Sequence, residues 1–185
     1  MGYNSTDFDV TEPLLVESAP VVSDDHLTYT VKIRDGVKWH DGKPFTTEDV
    51  LFSYKATACP LTDAASKRSQ MTDLADVQID GRTVRFIMSK PNVYNLRNVV
   101  TNFMPIIPKH VFDAKGLLDG FTYKDMLGPN AKTDPKVKEF ADEFNKHPAN
   151  RAPVGTGPYK FEKWDSGREI VLSRNDNYWG KKPYL

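Results

Sequence analysis

The sequence predicts an α+β fold in which antiparallel hairpins carry the sheets and short helices cover them. Three observations predict it. Leu27, Tyr29, Val31 and Ile33 alternate with Thr28, Thr30, Lys32 and Arg34, the period of two that marks a half-buried strand. Val77 and Ile79 precede Asp80-Gly81, and Val84, Phe86 and Met88 follow it, so two alternating runs meet at a hairpin dipeptide. Tyr159, Phe161 and Trp164 face Ile170 and Leu172 across Asp165-Ser-Gly167, a second hairpin. Short helical patterns lie between these strands without forming a run of strand–helix–strand units.

Taken in order, residues 1 to 13 carry no period. Leu14, Leu15 and Val16 form a short element before Ser18-Ala-Pro20, and Val21 to Asp25 lead into the first strand. Asp35-Gly36 and Asp41-Gly42 are turns, because glycine supplies a positive φ at little cost. Thr46 then caps a helix, its hydroxyl placed to accept the N–H of Asp49, with Glu48 and Asp49 in the positive first turn. Phe45 and Val50 occupy the two positions of a hydrophobic staple, and Val50, Leu51 and Tyr54 point towards the strand. Ala58-Cys-Pro60 stops this helix.

Leu61 to Asp73 reads as a loop or a loose helix. After the central hairpin, Pro91-Asn92 ends the strand, and Val93, Leu96, Arg97 and Val100 recur at helical spacing. Thr101 to Pro105 reads as a loop. Pro108 suits the first helical position of two turns, Lys109 to Lys115, closed by Gly116. Gly120 to Thr133 reads as mostly loop. Asp134-Pro135 opens a clear helix with Val137, Phe140, Ala141 and Phe144 on its apolar face; Lys138, Glu139, Asp142, Glu143 and Lys146 line the wet one. Pro148 ends it, and Gly155-Thr-Gly-Pro158 turns the chain into the last hairpin.

The bulk properties exclude several classes. A chain of 185 residues suits one domain, or one and a part. An apolar content of 39% with 27% charged residues argues against disorder. Zero formal net charge leaves no basic field for nucleic acid or an anionic membrane surface. No apolar run approaches the roughly 20 residues that span a bilayer. Met1-Gly-Tyr-Asn-Ser lacks the apolar region of a signal peptide, and Met1-Gly2 need not be native residues. Cys59, the single cysteine, permits no internal disulfide and reads as a small residue near a helix end.

Catalytic and metal-binding patterns are missing. His26, His40, His110 and His147 are scattered, with no zinc-ligand spacing. No Gly-x-Ser-x-Gly is present. Gly155-Thr-Gly157 lacks the ending of a phosphate loop and leads into a strand. Asp24-Asp25 points to opposite faces, and Glu48-Asp49 already serves a helix start. The aromatics Trp39, Tyr54, Trp164, Tyr178 and Trp179 suit either a ligand-lining wall or internal packing. We favour packing for Trp39, Trp164 and Trp179.

Four passages carry a resemblance. They are Val22-Ser-Asp-Asp25, the stretch from Leu27 to Tyr54, Ile106-Ile-Pro-Lys109, and Pro153-Val-Gly-Thr-Gly-Pro-Tyr-Lys-Phe161 running on to Asn177-Tyr-Trp-Gly180. In this order they resemble the family 5 extracellular solute-binding proteins, the peptide- and nickel-type binding components of ABC importers. The motif residues are Trp39, His40, Asp41, Gly42, Thr46, Asp49, Gly155, Gly157, Tyr159 and Trp179. Family members are much longer, so the resemblance implies a fragment of a bilobal, type II periplasmic-binding-protein-like fold. Residues 1–150 would be the extra subdomain of the first lobe, residues 151–185 would return into that lobe's own sheet, and the second lobe would lie beyond Leu185.

The resemblance also implies a function. The parent would capture a small solute, most often a short peptide, and present it to ABC permease subunits without covalent chemistry, cofactor or metal. It would work in the periplasm or at the cell surface, meeting the membrane only through a lipid anchor or the permease. Asp63 and Gln70, in the loop from Pro60 to Gln70, and Asn102, Phe103 and Met104 are the ligand-binding candidates. Two other readings stand beside this one. One is a hydrolase on the same scaffold, which needs a Ser–His or Cys–His pair in contact; the other is a sensory or protein-docking domain, which needs a broad apolar patch.

Overall fold

The computed structural model describes residues 13–100 and 105–184. Within them one antiparallel sheet runs in the order β1-β2-β4-β3, formed by Val21–Val22, Thr28–Lys32, Thr83–Met88 and Leu74–Asp80 respectively. The central hairpin pairs Asp80 with Thr83 across Gly81, whose φ of 54° is the left-handed conformation that glycine tolerates. The expected element at Leu14–Val16 is a single bridge, Val16 to Ile33. Tyr29 and Val31 of β2 and Val84, Phe86 and Met88 of β4 are buried together, as their alternation requires.

Helix α1, Thr47–Ala58, fills the space above that face; Tyr54 meets Phe86 with ring centroids 5.0 Å apart. Thr46 is its N-cap, in a capping box with Asp49, and the staple residues Phe45 and Val50 are both buried. Burial extends beyond the side of α1 that faces the strand. Phe52, Ser53, Lys55 and Ala56 are buried as well, because helices from the second half of the chain cover its other side. Phe52 meets Phe140 of α6, Pro135–Asn145, edge to face at 5.8 Å. Lys55 Nζ donates to the carbonyls of Leu118 (2.7 Å) and Phe121 (3.0 Å). Burial pulls its ammonium below the usual lysine range, against the opposing pull of Asp119 and Glu48.

Two local expectations are corrected. Gly120 to Thr133 is not mostly loop. It contains α5, Tyr123–Leu127, and a 3-10 turn, Pro129–Lys132. Thr122 and Asp125 form a capping box, and the buried Tyr123 and Met126 supply the packing that five residues cannot supply alone. Helix α4 runs only from Lys109 to Phe112, with Pro108 as N-cap and not the first helical residue. The Asp113 carboxylate takes the N–H groups of Leu117 (2.7 Å) and Leu118 (3.0 Å), which diverts the chain after one turn. The stretch after α1 folds into α2, Ala65–Arg68, and a 3-10 turn, Ser69–Met71; α3, Asn95–Val100, packs against that turn.

Arg68 closes the C-terminal end of α1. Its guanidinium donates to the carbonyls of Thr57 (3.0 Å) in the last turn, Cys59 at the C-cap and Thr62 (2.9 Å) just beyond it. The expected final hairpin pairs β5 (Tyr159–Asp165) with β6 (Glu169–Arg174), a two-stranded sheet among the described residues. We predict that Arg68→Ala costs about 2 kcal/mol in urea unfolding, since hydrogen bonds to charged donors contribute about 1.5–3 kcal/mol each and water recovers part of the loss. Arg68→Lys should recover less than half of it, because a single ammonium cannot reach three carbonyls in a fork.

Candidate functional site

The motif residues assemble from the bottom up around the N-terminus of α1. Asp49 is the third residue of that helix and is buried. Its Oδ2 accepts the Thr46 N–H at 2.9 Å, the Thr46 hydroxyl at 3.2 Å and the Trp39 indole N–H at 3.3 Å. Its Oδ1 accepts the Lys109 N–H at 2.9 Å. One carboxylate thus satisfies the helix cap, orients a buried indole and anchors α4 from a passage 60 residues further on. Trp39 packs edge to face on Phe45 at 5.9 Å. Trp39 is buried.

The adjoining turn reaches across the chain to the glycine passage. The His40 N–H donates to the Gly155 carbonyl (2.8 Å), while the Gly155 N–H donates to His40 Nδ1 (3.1 Å). With Nδ1 accepting, Nε2 carries the proton and donates to the Gly157 carbonyl at 3.0 Å. A side chain at Gly155 would place its Cβ 3.1 Å from His40 Cε1, so the ring and the glycine fit each other. Asn175 Nδ2 donates to the same Gly157 carbonyl (3.1 Å), and the Trp179 indole donates to Thr156 O (3.0 Å). Arg34 lies 4.9 Å from the centroid of the Trp179 ring. Gly42, at φ 88°, makes the turn that presents His40 and Asp41.

Asp41 turns the other way. Its Oδ2 lies 2.6 Å from His110 Nε2 in α4, and its Oδ1 takes the Lys43 N–H at 3.1 Å. Burial alone would raise this carboxyl, but the His110 contact and the Lys43 N–H outweigh it and hold it below its usual range. His147 Nδ1 accepts the Ala149 N–H (3.1 Å). None of these three histidines is bonded to a serine or cysteine, the pair that the hydrolase reading needs. Cys59 is wholly buried, and burial raises its thiol away from the reactive thiolate.

Trp164 departs from expectation. It is 43% exposed, with the Arg151 guanidinium 4.3 Å from its ring centroid. With Tyr159, Phe161, Ile170 and Leu172 it lines a groove of about 430 Å³ beside His40. Ile170 and Leu172 are more than half exposed, and Val171 on the opposite face is exposed as well. Two short strands cannot bury both their faces, and sequence alternation alone does not say which face another part of the chain covers.

The ligand-binding candidates fall in different places. Asp63 is exposed and its N–H donates to Asn145 Oδ1 (2.8 Å), which ties that loop to α6. Gln70 is exposed in the 3-10 turn that packs against α3, the helix leading towards Asn102-Phe103-Met104. Those three residues lie outside the described ones. Among the described residues no group of three His, Cys, Asp or Glu side chains can hold a metal ion, and no helix is long and apolar enough to cross a membrane.

Residues 10–185 match the model of the bacterial extracellular solute-binding proteins, family 5 Middle. The chain belongs to this family. It is 32% identical over 164 residues to the oligopeptide-binding protein AppA of Bacillus subtilis, covering 88% of this chain and 25% of that protein. It is 28% identical to the dipeptide-binding protein of Escherichia coli, covering 89% of this chain and 29% of that one. Among solved structures, AppA of Bacillus subtilis in complex with a nonapeptide superposes with a TM-score of 0.65 at 31% identity, covering 93% of this chain and 29% of AppA. NikZ of Campylobacter jejuni in complex with Ni(L-His) gives a TM-score of 0.69 at 28% identity, over 92% of this chain and 28% of NikZ. The fold is that of type II periplasmic binding proteins, of which the chain spans about a quarter of the length of the curated relatives that it matches.

Within this family 5 chain, the motif side chains hold the protein's own segments together. We predict that Asp49→Ala costs at least about 3 kcal/mol in urea unfolding, because it orphans three N–H donors at a buried site, each worth about 1–3 kcal/mol. Asp49→Asn should cost less than Asp49→Ala. The lowered Asp41 carboxyl gives a pH dependence whose sign follows from linkage. Its stabilising effect is complete above the unfolded carboxyl range near about pH 4 and is lost as pH falls through the lower folded value. Asp41→Asn should therefore flatten the acid limb of the stability curve below about pH 4, measured by urea midpoints at stepped pH.

Proposed function

We propose that this chain is part of the substrate-binding component of an ABC importer, and that the parent captures a short peptide between two lobes and delivers it to a membrane permease. The observation that carries this reading is the joint likeness, in sequence and in fold, to AppA, whose solved structure holds a nonapeptide. The parent acts by binding and release and is not an enzyme. Capture then rests on closure, a two-state shift biased by contacts that the solute makes with both lobes.

In this reading residues 1–150 are the extra subdomain of the first lobe and residues 151–185 return into that lobe's sheet. The exposed apolar faces of β5 and β6 support it, since they suit a hairpin that joins a larger sheet. Gln70, beside α3, and Asn102, Phe103 and Met104 serve in binding the solute; Asp63 contributes from the loop tied to α6. The parent works in the periplasm or at the cell surface, held there by a lipid anchor or by the permease.

Closure implies that one lobe's contacts do not suffice, because the ordering costs of binding are met only when both sides engage. Calorimetry with a library of short peptides tests this. The full-length parent should bind at least one peptide with a Kd of about 1 μM or tighter, near −8 kcal/mol. The 185-residue chain should show no binding below about 1 mM, or about −4 kcal/mol. Micromolar binding by the 185-residue chain alone would overturn the two-lobe account.

A further inference from the structure

We infer that His40 is an acid-released latch between the subdomain and the segment that follows residue 150. The latch consists of three bonds in one place: His40 N–H to Gly155 O, Gly155 N–H to His40 Nδ1, and His40 Nε2–H to Gly157 O. The last two use both ring nitrogens in opposite roles, one accepting and one donating. Only a neutral imidazole in the Nε2–H form does both. A second proton must go on Nδ1, where it meets the Gly155 N–H at 3.1 Å, donor against donor. Turning the ring away would give up the Nε2 bond to Gly157 O.

The surroundings offer the protonated ring little compensation. From the returning segment, the groove beside His40 presents Arg151 and Tyr159 as its charged or titratable groups. On the ring's own turn, Asp41 is already taken by His110 of α4 and by the Lys43 N–H, and Lys43 adds a positive charge. Histidine is the side chain whose charge ordinarily changes between about pH 5 and 8. Gly157 O keeps its second donor, Asn175 Nδ2, so acid frees the Gly155 end first. The latch thus makes the seating of Gly155-Thr-Gly157 on the Trp39–Gly42 turn depend on pH, whatever solute the parent carries.

Amide hydrogen exchange and ring nitrogen shifts in the 185-residue chain test this between pH 8 and 5. We expect neutral His40 with its proton on Nε2 at pH 8. As the ring takes up its second proton, the protection factor of the Gly155 amide should fall about tenfold, while that of Val84 in β4 stays level. His40→Gln keeps one acceptor and one donor, so its Gly155 protection should not change over this range. His40→Ala should be low throughout. A His40 ring that stays neutral down to pH 5 would overturn the latch, as would one that protonates with Gly155 still protected. If His40→Gln fails to fold, the two wild-type readouts decide the matter.

Discussion

The buried carboxylate of Asp49 is the interaction on which the rest depends. The N–H of the cap residue Thr46 needs an acceptor, a buried indole needs one for its own, and so does the first residue of α4. Asp49 supplies all of them from one position. Its place in the sequence, three residues after Thr46, is dictated by the capping box. The carboxylate thereby ties a local helix signal to a long-range contact with Lys109. Once α1 is fixed at this end and closed by Arg68 at the other, the sheet packs on one side and α4, α5 and α6 on the other.

Much of this was legible in the sequence, and the reasons for success and failure differ by element. Strands β2, β3 and β4 were legible because one face is wet and the alternation survives. The starts of α1 and α6 were legible because Thr46 and Asp134 are strong caps. Helix α5 was missed because its two buried anchors, Tyr123 and Met126, are three residues apart in too short a run to show a period. The burial of Lys55 was illegible, because its acceptors are backbone carbonyls and leave no mark on residue identity. Trp164 misled for the opposite reason. An aromatic in an alternating strand reads as core, and only the fold shows that nothing among the described residues covers it fully.

The site shows a similar division. The motif residues announced a family, and their geometry explains what they do in this chain. Trp39, Asp49, His40 and Trp179 spend their polar groups on neighbouring backbone and side chains, leaving few free for a solute. In the proposed reading selectivity sits in the loops, and loops carry little pattern that a single sequence reveals. The solved structures of AppA with a nonapeptide and NikZ with Ni(L-His) share this chain's fold.

The claim at the centre of this account is that the motif holds the jaw together while the loops meet the cargo. Hydrogen exchange of the full-length parent, with and without bound peptide, measures it most directly. The account predicts that peptide slows exchange in residues 60–70 and 101–104, and leaves Trp39 to Asp49 and Gly155 to Gly157 unchanged. A binding footprint centred on Trp39-His40 or on the glycine passage, with the two loops untouched, would contradict it.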